Sequence, residues 1–137
     1  MSTHPYLRAY MAGIAVPTIL LLVSMTGFVV ARFMYDVSVP IERIIVFPMA
    51  IVPNLWGLWN ILYVFLQSRR RLPLGFHGVV LACVQVSIAV GLTRLLNFQI
   101  PEVVATAFPF GFPIVVVVFY LVWKHLVGLF NTILGIA

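Results

Sequence analysis

The chain has 137 residues, of which 64% are hydrophobic and 8% charged, and it carries a net charge of +5. Soluble domains are about half apolar and about a quarter charged, and no soluble fold of this length hides so much apolar surface. The mean hydropathy of +1.17 makes the bilayer the expected solvent, and a single membrane domain covering residues 1–137 is expected.

Charge also narrows the function classes. Asp36, Glu42 and Glu102 are the only three acids, and none lies inside a long apolar run. Pumps, proton-coupled exporters and metal-dependent membrane hydrolases keep a carboxylate at membrane depth, so these classes are disfavoured. The basic residues sit singly or in one short loop at the ends of apolar runs. That is headgroup level, so they argue for orientation in lipid and not for nucleic-acid binding. Cys83 is the one cysteine. It allows no internal disulfide and no cysteine-pair metal site, and is expected to be a small buried apolar residue.

In chain order, the first apolar run covers about 11–31. It is too long for a signal h-region, so a retained first span is expected. It ends at Arg32, with Asp36, Ser38 and Pro40 marking a turn. The second span covers about 44–66, preceded by Pro40 and Glu42, which suit the first turn of a helix. The third covers about 74–96, opened by Pro73 and closed near Arg94 and Asn97. The fourth covers about 102–124 and follows Pro101. Each run is long enough, at about 20 residues, to cross the hydrocarbon as a helix. None has the period-two alternation of a membrane strand. The expected fold is all-α: four transmembrane helices in an antiparallel bundle, bent at Pro48/Pro53 and at Pro109/Pro113.

The end of span four is ambiguous from sequence. If the helix bends through Pro109 and Pro113, it exits near Lys124 and leaves a short C-terminal helical extension at the cytoplasmic surface. If the chain restarts at Pro113, Glu102 to Phe108 becomes a separate interfacial piece and Lys124 is buried. The first is favoured because it spares a cation. Arg69, Arg70 and Arg71 in the loop from Ser68 to Pro73 place that loop in the cytoplasm. Alternation then puts both termini there too, in a bacterial-type inner membrane.

Three sets of residues are candidates for function. The first is a packing seam of small residues on span three, Gly75, Gly78, Ala82 and Ala89, with Gln85 on the same face. Similar steps occur at Gly13, Pro17, Leu20, Ser24, Gly27 and Ala31, and at His125, Gly128, Thr132 and Gly135. Small residues let helix backbones approach where lipid offers no hydrophobic drive. The second is a polar, aromatic set on span two: Asn54, Trp56, Trp59, Asn60 and Tyr63. Helical spacing puts Trp56, Trp59, Asn60 and Tyr63 on one broad face. The asparagine amides need protein partners at membrane depth, most simply Gln85 or a carbonyl freed by Pro53. The set reads either as packing glue or as a polar pocket. The third is the pair His77 and His125, expected at similar depth, which could ligate a b-type haem if they face each other.

No nucleophile–base set, phosphate loop or HExxH is present, so no enzyme and no cofactor are expected. The leading reading is a small membrane protein acting through helix packing, as a homo-oligomer or an accessory subunit of a membrane complex. Its partners would be the lipid bilayer and itself or another membrane protein. The alternative is a small-solute or ion conduit lined by Asn54, Asn60 and Gln85. A haem-binding electron carrier is the remote third.

Overall fold

The computed structural model describes residues 4–67, 69 and 71–136. Ser68 and Arg70 of the arginine loop lie outside the described residues. All regular structure among the described residues is helical: α1 (Pro5–Met34), α2 (Ile41–Ile44), α3 (Ile51–Gln67), α4 (Leu74–Leu95), α5 (Glu102–Val122) and α6 (Gly128–Ile133). Among the described residues, four helical stretches are long and apolar enough to cross a membrane, Pro5–Met34, Ile41–Gln67, Leu74–Leu95 and Glu102–Ile133.

Local chemistry explains the ends. Pro5 opens α1, where its missing amide proton costs nothing. Asn97 follows α4 with φ 51°, a left-handed conformation that asparagine tolerates better than most residues. Around it the Phe98 amide donates to Thr93 O at 2.8 Å and the Asn97 amide to Arg94 O at 3.3 Å, which caps carbonyls the helix leaves free. Gly135, at φ +68°, ends α6 the same way, with the Ile136 amide donating to Asn131 O at 2.8 Å. Between α2 and α3, Phe47 leaves the helical region (φ −135°, ψ 121°). It precedes Pro48, whose ring disfavours the helical conformation in the residue before it.

Two extents differ from the sequence expectation. The first helix begins at Pro5 and not near Met11, because its first turns pack: Ala9 and Ala12 are fully buried. The last stretch runs on as helix past the expected exit near Lys124, to Ile133. The chain stays helical from Glu102 through Pro109 and Pro113, makes a π-helical turn at Trp123–Val127 and continues as α6. Trp123, Val127 and Asn131 hold it in the core.

The core lies at one end of the molecule, the end that carries Arg8, Arg69, Arg71 and the C-terminal helix. Val16, Trp56, Leu81, Trp123 and Val127 form it. At the opposite end, which carries the turn around Asp36 and the loop around Gln99, packing thins out. No residue of α5 is buried, and α1 has no buried residue beyond Pro17. Cys83, expected inside, is exposed on α4: the buried face of that helix is the one carrying Gly78, Leu81, Ala82 and Gln85.

Candidate functional site

Glycines set the two main helix crossings at the packed end. A Cβ added to Gly13 of α1 would lie 2.6 Å from Trp56 O and 2.9 Å from Gly57 Cα, so α1 touches the backbone of α3. Gly57 in turn seats the ring of Tyr10, 2.5 Å from where its own Cβ would be. The Tyr10 hydroxyl then donates to Asn54 Oδ1, and Asn54 Nδ2 donates to Ala50 O at 2.8 Å. On α4, Gly75 seats the ring of Tyr120, and a Cβ on Gly78 would lie 2.6 Å from Phe119 O and 2.8 Å from Trp123 Cβ. Ala82 is buried beside them, whereas Ala89 is only half-buried. The contact is of small residues against large ones: Tyr120 and Trp123 are knobs, and the α4 glycines are the holes.

The C-terminal helix packs through a different face from the small-residue one at His125, Gly128, Thr132 and Gly135. Its buried residues are Trp123, Val127 and Asn131, while His125, Thr132 and Gly135 are exposed. The buried side chains lie at i, i+4 and i+8, and the first of them, Trp123, fills the space that Gly78 of α4 leaves open.

The polar set on α3 is divided among three neighbours. Trp56 turns to the C-terminal helix, its ring 5.2 Å from Phe119 and 5.4 Å from Trp123. Tyr63 turns to α4, its ring edge-on to His77 at 5.1 Å. Asn60 turns to α1 and α6. Its Nδ2 donates to Asn131 Oδ1 and to Ala9 O, both at 2.7 Å, and Asn131 Nδ2 donates back to Asn60 Oδ1 at 3.2 Å. Asn60 is fully buried and Asn131 is 1% exposed. The partner expected from sequence, Gln85, is not the one used. The Gly13–Gly57 crossing brings the Asn60 face onto α1, away from α4. Asn131 was missed because it lies beyond the expected end of span four, although an asparagine eight residues after a tryptophan does share its face.

Gln85 is buried on α4, and its Nε2 has no hydrogen-bond partner among the described residues; the same holds for the indole nitrogens of Trp56, Trp59 and Trp123. His77 is buried against Tyr63, whereas His125 is exposed, so no described contact brings these two together as axial ligands would require. No group of three or more His, Cys, Asp or Glu able to hold a metal occurs among the described residues.

The opposite end has its own polar features. Arg32 at the end of α1 pairs with Glu42 at 2.9 Å, and the Arg43 guanidinium lies 4.6 Å from the centre of the Phe98 ring. Two apolar clefts flank α4 there and share Ala89 and Thr93. One, of about 360 Å³, lies between α4 and the break before α3; the other, of about 560 Å³, lies between α4 and α5.

Fold and geometry define a class: among the described residues the chain is all-helical, with four helices apolar enough to cross a membrane. No protein-family model matches the chain, and no curated protein or solved structure matches it significantly.

Proposed function

We propose that the chain is a small integral membrane protein that works through helix packing, as a homo-oligomer or as an accessory subunit of a membrane complex. The reading is non-enzymatic and takes no cofactor. One observation carries it: the far halves of α1, α4 and α5 present Gly27, Gly91 and Gly111 with nothing within 4 Å of where a Cβ would stand. Glycine weakens a helix by about 1 kcal/mol relative to alanine, and in membranes it is favoured where another backbone comes close. At the packed end every comparable glycine faces a neighbour. At the open end the neighbour would come from another chain.

We take the four helices as an antiparallel bundle bent at Pro48/Pro53 and Pro109/Pro113, with both termini cytoplasmic in an inner membrane. The extended Phe47 before Pro48 supports the first bend. Arg8, Arg69, Arg71 and Lys124 at the packed end support the orientation. A conduit has less in its favour. Asn60 is engaged by Asn131 and Ala9, and Asn54 by Tyr10 and Ala50. Of the proposed lining, this leaves the Gln85 amide.

Purification in mild detergent tests the reading. A particle larger than one chain, or a stoichiometric second protein, is expected. A homogeneous single chain that is functional in cells would overturn it.

A further inference from the structure

The cleft between α4 and the break before α3 differs from an ordinary gap between helices in what stands at its mouth. Its walls are Val46, Phe47, Ala89, Leu92 and Leu96, with Thr93, whose hydroxyl turns back to the Ala89 and Val90 carbonyls of its own helix. Its mouth holds Glu42, Arg43 and Phe98. Glu42 is already neutralised by Arg32, whose Nη1 lies 2.9 Å away, the one ion pair among the described residues. Arg43 is therefore left with net positive charge to offer. Its guanidinium meets the Phe98 ring at 4.6 Å. Contact through the ring face leaves the N–H donors at the guanidinium edge available, and those donors match two phosphate oxygens at once.

The depth is also right. Ala89 on α4 lies seven residues before Leu96, the residue that follows the helix, so the apolar part extends about 10 Å below the charged mouth. A gap between apolar walls at membrane depth forfeits dispersion contacts unless a chain fills it, and acyl chains are the material at hand. An arginine above such a gap selects which lipid supplies the chain.

We propose that this cleft binds one anionic phospholipid, its phosphate on the Arg43 guanidinium and an acyl chain between Phe47, Ala89 and Leu92. The occupant is a lipid and not a free phosphate, because the charged mouth alone is small and the walls beneath it are apolar.

Native mass spectrometry of the full chain, delipidated and then offered phosphatidylglycerol and phosphatidylcholine of equal chain length, tests this. Phosphatidylglycerol should be retained about tenfold more strongly, because phosphatidylcholine offers the same phosphate but its ammonium group cancels the lipid's net charge and repels the guanidinium. Arg43→Gln should bring the two lipids level. Ala89→Phe, which fills the chain site, should lower retention of both. Short-chain phosphatidylglycerol on the wild-type chain should bind more weakly than the long-chain form, a comparison that needs no variant to fold. Equal retention of the two headgroups would overturn the proposal. So would competition by glycerophosphate as strong as by the lipid, or Arg43→Gln leaving the preference intact.

Discussion

The two ends of this molecule use glycine in opposite ways. At the packed end, Gly13, Gly57, Gly75 and Gly78 each lie so close to a neighbour that an added Cβ would come within 3 Å of it. At the open end, Gly27, Gly91 and Gly111 have nothing within 4 Å. The residue type and its cost to helix stability are the same at both ends. What differs is whether the chain itself supplies the surface that the missing side chain admits. The packed end folds on its own terms, while the open end has helix faces suited to a contact it does not make internally.

Substitutions at these glycines should give the widest separation. Gly78→Leu and Gly13→Leu push a side chain into a backbone carbonyl and should cost about 3 kcal/mol, at the upper end of overpacking effects, read as a lowered melting temperature in detergent. Gly27→Leu should not destabilise and should gain up to about 1 kcal/mol, since it displaces nothing and removes the helix cost of glycine. If Gly27→Leu destabilised the isolated chain as much as Gly78→Leu, the contrast between the ends would collapse.

The asparagine pair sharpens what holds the packed end. Asn60→Leu and Asn131→Leu should each destabilise by about 1–2 kcal/mol: the first leaves the Asn131 amide without its partner, and the second leaves Asn60 with its bond to Ala9 O alone. The double variant should cost less than the sum. Gln85→Leu should be additive with Asn60→Leu, and coupling between those two would return Gln85 to the role that sequence suggested for it.

A smaller effect is expected at Tyr10. Tyr10→Phe keeps the ring on Gly57 but removes the hydrogen bond to Asn54, for a loss of about 0.5–1 kcal/mol. Thiol labelling tests the orientation of the ends without touching stability. Single cysteines at Ser38 and Gln99, in a Cys83→Ala background, should react with an impermeant reagent on intact cells, and one at Ile136 should not. Reaction at Ile136 alone would reverse the assignment.

The sequence made the helices legible because hydropathy sums over about twenty residues, and errors at single positions wash out. It also marked Gly78 and Ala82 as packing residues, since small side chains at three- and four-residue steps have a direct steric meaning. Partner choice was harder to see. The stripe from Gly13 to Ala31 looks uniform, yet burial on α1 stops at Pro17. Lipid and protein accept the same apolar side chains, so hydropathy cannot tell a helix face that meets a helix from one that meets an acyl chain. Asn60 needed a polar partner on any reading, but which one depends on a crossing set by Gly13 and Gly57 in two different helices. The non-helical φ/ψ at Phe47 has a local cause in the proline that follows it, whereas the clefts beside α4 follow from how far the helices separate, which no local pattern encodes.

The central claim is that the packed end makes the fold and the open end makes the assembly. Its most direct test is the particle mass of the wild-type chain and of the Gly27→Leu/Gly111→Leu variant in mild detergent, each paired with a melting curve. The expected result is a wild-type particle larger than one 15.3 kDa chain, and a variant that falls to a single chain, or loses its partner, while still melting cooperatively as a folded chain. A variant that stays assembled, or one that comes apart only because it has also lost its fold, would contradict the claim.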